Sequence, residues 1–127
     1  MKYAIFFLSF MIATVSCSTN HDKIPELTPE KTDFTETSSY QDVMEVVDYA
    51  RKHAKNMHYE LFGQSEQGKD LPLLVFSDQV VESPDQAHQL HRPVVFIVAN
   101  IHSGEVEGKE ALLRLILELT KGEYQPG

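Results

Sequence analysis

Val94-Val95-Phe96-Ile97-Val98-Ala99 is an uninterrupted apolar run, and it empties into Asn100-Ile101-His102-Ser103-Gly104-Glu105 just before a helical pattern begins. The lack of polar alternation predicts a strand covered on both faces, as in the middle of an α/β sheet. A strand that ends in His-x-x-Glu at the mouth of a helix offers an imidazole and a carboxylate to one point in space. Those are two ligand types of a zinc site, at the carboxyl end of a strand where open α/β sheets place their ligands. Gly104 between them is expected to let the chain turn sharply. The competing reading is a plain loop histidine, with Ser103 as a helix cap and Glu105 favoured by the helix dipole.

Downstream of that turn, residues 107–120 are expected to form a helix, with Ala111, Leu112, Leu115, Ile116 and Leu119 on the buried face and Leu113 and Leu117 widening it. Gly122 is the expected stop. Upstream, Ser39 followed by Asp42 resembles a capping box. Tyr40, Val43, Met44, Val47, Ala50 and Ala54 then recur at helical spacing, with Asp48 and Lys52 as an i,i+4 pair and Asn56 as the stop. Residues 58–62 and 71–76 read as two strands joined by a polar turn with two glycines, an antiparallel hairpin. Residues 79–92 read as a solvated loop carrying Pro84, His88 and His91. The fold class expected is therefore α/β, in the order helix, β-hairpin, buried central strand, helix. Three strands and two helices make a thin core, and a strand buried on both faces needs neighbours beyond these.

The chain has 127 residues, one small domain's worth. Its first stretch reads differently. Lys2 is followed by an apolar run from Tyr3 to Val15 that suits the h-region of an export signal and is short for a membrane span. The run closes on small residues and Cys17, the only cysteine, so no internal disulfide is available. This arrangement resembles a bacterial lipoprotein signal, with residues 1–16 removed and Cys17 lipidated as an anchor in the cell envelope. The alternative is an ordinary secretory signal cut after Ser16 that leaves a free thiol. Residues 17–38, rich in Thr, Ser, Glu and Lys with Pro25 and Pro29, read as a flexible tether to a domain spanning 39–127.

Charge excludes two classes of partner. The net charge is −8, and removing residues 1–16 takes away Lys2 and no acid, giving −9. There is no basic stripe for nucleic acid, and membrane contact is expected only through a lipid on Cys17.

Residues 100–111, from Asn100 through His102, Glu105 and Gly108 to Ala111, resemble the first metal motif of the zinc carboxypeptidases, the metallocarboxypeptidase family typified by carboxypeptidase A. The turn Gly63-Gln64-Ser65-Glu66-Gln67-Gly68-Lys69 resembles that family's Gly-x-Ser-x-x-Gly-Arg turn, with Lys69 where arginine is usual. The order of elements agrees from about residue 34 to 120. The resemblance implies a Zn2+-dependent exopeptidase acting on peptide C-termini, with His102 and Glu105 as metal ligands. It implies a third ligand, a histidine on a later strand, then a catalytic glutamate and the groups that grip the substrate carboxylate. No position up to Gly127 matches these, so the catalytic residues are expected downstream, the domain is expected to be incomplete, and the chain alone is expected to be inactive. Gly104 stands where the carboxypeptidase A branch has arginine. His21, His53, His58, His88 and His91 read as surface histidines, and Glu107 turns to another helix face. Two other readings stay open: a zinc-dependent deacylase of acylated amino acids (aspartoacylase-like or desuccinylase-like), and a non-catalytic truncated surface lipoprotein.

Overall fold

Ser39 opens the best-defined helix. Its Oγ accepts the Asp42 backbone N–H at 3.3 Å, and its own N–H donates to Asp42 Oδ2 at 2.7 Å, a complete capping box. The Ser39 hydroxyl bond, together with the Ser39 backbone N–H, holds the Asp42 carboxyl below its ordinary value. Ser39→Ala is expected to cost about 1 kcal/mol, read as a lower midpoint in denaturant unfolding followed by circular dichroism.

The structure, a computed structural model, describes residues 23–122. The export signal read at residues 1–16, the anchor Cys17, the start of the tether and the end at Gly127 lie outside the described residues. The elements are α1 (Thr28–Lys31), α2 (Tyr40–His53), β1 (Met57–Gln64), β2 (Asp70–Phe76), α3 (Pro84–Gln89) and α4 (Val106–Lys121). The result is a mixed α/β arrangement whose sheet has two antiparallel strands. Among the described residues, no helix is long and apolar enough to cross a membrane.

The hairpin pairs Met57 with Phe76 at its base and Gln64 with Asp70 at its tip, with an irregularity between Leu61 and Gly63. At the turn, Ser65 N–H donates to Lys69 O and Gly68 N–H to Ser65 O, both at 2.8 Å. Gly68 has φ of 71°, a left-handed angle that only glycine adopts without strain. The Tyr40 hydroxyl donates to Asp70 O at 3.3 Å and Lys69 Nζ sits 5.4 Å over the Tyr40 ring, so the turn is tied to the start of α2. At the other end of the helix, Arg51 lies 4.2 Å over the Tyr59 ring and pairs with Asp48 at 3.1 Å, taking the place expected for Lys52.

The core forms where α2 meets α4. Val46, Val47 and Ala50 of α2 and Leu113, Ile116, Leu117 and Thr120 of α4 are buried. Met57, Leu74 and Phe76 of the hairpin pack against this cluster. Both helix faces are rotated slightly from the expected ones. Tyr40 and Ala111 are exposed, whereas Val46 is buried, because each helix turns its most apolar edge to the other helix. Gly122 ends α4 with φ of 73° and donates to Leu119 O, as its position predicts.

Three expectations are corrected. Residues 27–38 do not behave as tether: Leu27 joins the core, Pro29 and Ser38 are buried, and Glu30 of α1 pairs with Arg114 of α4. A polar composition describes the segment's average and conceals one buried leucine. The loop at 79–92 contains α3, capped by Ser83, whose Oγ accepts Gln86 N–H at 3.3 Å, although none of its residues is buried. The apolar run is the third. Residues 94–98 pair with no strand and stand 51–79 % exposed. A strand of this composition needs a neighbour on each side, and the two described strands pair only with each other.

Candidate metal centre

Asn100 closes the apolar run in the left-handed region, with φ of 59°, and Asn is among the few non-glycine residues that tolerate it. The sharp change of direction therefore falls on Asn100 rather than Gly104, whose φ is not positive. Asn100 Oδ1 is buried without a hydrogen-bond partner among the described residues. From there the chain makes one tight turn, with the Glu105 N–H donating to His102 O at 3.0 Å. That turn brings the two side chains to the same side. His102 Nδ1 lies 2.9 Å from Glu105 Oε1, and the His102 N–H donates to Glu105 Oε2 at 3.4 Å.

Glu105 is also the N-cap residue of α4, yet its carboxylate makes no cap bond to the helix; it reaches back to His102 instead. The positive end of the helix dipole still favours a carboxylate at this point. Ser103 is thus not the cap. Both side chains are open to solvent, His102 at 80 % and Glu105 at 57 %.

No other described histidine joins them. His53 stacks on Tyr49 with centroids 4.4 Å apart, and His58 Nε2 sits 3.5 Å from Glu60. His88 lies on α3 and His91 just beyond it, both exposed. Glu107 is exposed in the first turn of α4. Among the described residues, no group of three or more His, Cys, Asp or Glu is placed to hold a metal ion. Cys17 and His21 lie outside the described residues.

Sequence reading missed Glu110. Its Oε1 accepts the Thr37 hydroxyl at 2.5 Å and the Ser38 N–H at 2.7 Å, and its Oε2 accepts the Ser38 hydroxyl at 2.7 Å. Lys109 Nζ donates to Ser38 O beside it. This clasp fixes the N-terminal segment to α4, one turn past Glu105. Its partners lie more than 70 residues apart in the chain, so no local pattern reveals it.

An imidazole nitrogen and a carboxylate oxygen are donors that zinc takes at about 2.0–2.2 Å, and two such donors on one tetrahedral ion stand about 3.3 Å apart. The 2.9 Å pair at His102 and Glu105 fits that donor set with a small opening. The described residues thus form an α/β scaffold that brings one imidazole and one carboxylate together at the mouth of α4. The family model of the zinc carboxypeptidases matches residues 43–125, and the chain belongs to that family. No curated protein and no solved structure matches the chain.

Proposed function

We propose that this chain is the N-terminal part of an exported, lipid-anchored zinc carboxypeptidase, held in the bacterial cell envelope through Cys17, that hydrolyses C-terminal peptide bonds. The observation that carries the reading is the 2.9 Å approach of His102 Nδ1 to Glu105 Oε1 at the mouth of α4, in a chain of the zinc carboxypeptidase family. His102 and Glu105 would hold the metal. When bound, zinc supplies a Lewis acid that polarises the substrate carbonyl and makes a water acidic. This chain's own contribution is orientation. The turn at Asn100 and the start of α4 present the imidazole and carboxylate together, and the Glu110 clasp steadies the helix that carries them.

A catalytic zinc normally has three protein ligands, and a general base must take the proton from water. On this reading His102 and Glu105 are two ligands of an incomplete set, and among the described residues no third joins them, so this chain by itself would bind zinc weakly and not turn over peptide. Zinc titration followed by the imidazole NMR resonances tests it. Binding is expected with a dissociation constant on the order of 0.1 mM. His102→Ala and Glu105→Gln should each weaken it at least about tenfold, and His88→Ala should leave it unchanged. Unaltered binding in His102→Ala would overturn the ligand assignment, and zinc-dependent peptidase activity of this chain would overturn its inactivity.

A further inference from the structure

Glu105 occupies the N-cap of α4 but gives the helix no cap bond, whereas α2 and α3 each begin on a serine whose hydroxyl accepts a backbone N–H. The first turn of α4 is also weak in composition. β-Branched Val106 opens it and Gly108 follows, and both lower helix propensity. A turn of this kind frays on its own. Yet this turn sets where Glu105 stands, and with it the 2.9 Å approach to His102.

What holds the turn comes from far away in the chain. Glu110 is the fifth residue of α4, and its two carboxylate oxygens accept three hydrogen bonds from Thr37 and Ser38. Ser38 is 4 % exposed and the Glu110 side chain 17 %, so water competes poorly for these bonds. Pro29, Phe34, Glu36 and Thr37 line one groove with Val106 and Glu107, which sets the N-terminal segment alongside that first turn.

We propose that Glu110 is a positioning residue for the metal: its bonds to Thr37 and Ser38 take the place of the missing cap, so that closing this clasp and binding zinc at His102 and Glu105 reinforce each other. The inference rests on His102 and Glu105 being the ligands, as proposed above. Both Glu110 oxygens are taken up by the N-terminal segment, so Glu110 acts through the helix and not by ligation. The coupling is reciprocal. Whatever factor the clasp adds to zinc affinity, zinc adds to the closing of the clasp.

Two measurements on the 127-residue chain test it. The first is hydrogen exchange without metal at the Glu110 and Ala111 amides, whose helical acceptors Val106 and Glu107 belong to the first turn. Ser38→Ala removes one clasp bond with little change in volume and should speed both amides about fivefold. Ile116→Val, a modest core defect farther along the same helix, should leave them unchanged. The second is zinc titration read from the imidazole resonances. Affinity should fall about fivefold in Ser38→Ala and at least as far in Glu110→Ala. Glu110→Gln keeps the shape and one acceptor oxygen and should recover part of the loss, while Ile116→Val should bind as wild type does. Unchanged affinity in Ser38→Ala and Glu110→Ala, with binding that still requires His102, overturns the positioning role and leaves the ligand assignment standing. First-turn amides indifferent to Ser38→Ala overturn it as well, and so does equal weakening of zinc binding by Ile116→Val. Zinc binding that is absent, or indifferent to His102→Ala, overturns the ligand assignment and the positioning role with it.

Discussion

Leu117→Ala is expected to destabilise the chain by about 3 kcal/mol, the largest single effect in the molecule. Leu117 is 2 % exposed and sits in the cluster that α4 shares with α2, against Leu27, Val46, Ala50, Leu113 and Ile116. Truncation removes the transfer energy of the buried atoms and leaves a cavity that two helices and a hairpin cannot fully close. A core this small has little surplus, so the loss should be visible as partial unfolding at room temperature. Urea unfolding followed by circular dichroism measures it. A loss below about 1 kcal/mol would mean that α4 does not pack on α2 through this face.

Glu110→Ala is expected to cost about 2 kcal/mol at neutral pH, with a dependence on pH that distinguishes it from a packing defect. Partial burial pushes the Glu110 carboxyl up, but the hydrogen bonds from the Thr37 and Ser38 hydroxyls and the Ser38 N–H outweigh it, with help from the Lys109 charge, and hold it below the ordinary 4.5. A carboxyl whose folded value lies below its unfolded one stabilises the fold above the unfolded value. That contribution is lost as pH falls through the folded value. Wild-type stability should therefore drop below about pH 4.5, and the gap between wild type and Glu110→Ala should narrow by about pH 3. Asp42, also held low, contributes in the same sense to both proteins and does not alter the gap. An equal gap at both pH values would show that the carboxylate's charge is not what fastens residues 37–38.

What could be read in advance was local. Ser39 with Asp42, Gly68 at the hairpin turn and Gly122 past α4 each answer a backbone requirement set by their own neighbours, and each sits where its residue type predicts. His102 and Glu105 belong to the same group, since one turn of chain decides that they face each other. The unread features depend on distant partners. Leu27 looks like part of a polar segment until the α2 and α4 surfaces give it a place, and Glu110 looks like an ordinary helix-surface acid until Thr37 and Ser38 arrive. The run at 94–98 fails in the opposite way. Its sequence states what it needs, two flanking strands, and the described residues do not supply them.

The packing of α2 on α4 also sets a timetable for folding. The hairpin is a local structure and can close on the microsecond scale, but the apolar face of α2, covered early only by Leu27 and the hairpin's Met57, Leu74 and Phe76, lacks its main partner until α4 exists, about 60 residues later in the chain. At translation speeds of roughly 5–20 residues per second, that face waits for on the order of 3 to 12 seconds. The nascent segment thus spends those seconds as a ready ligand for any chaperone that recognises apolar helix faces, and the arrival of Leu113, Ile116 and Leu117 is the event that ends its eligibility.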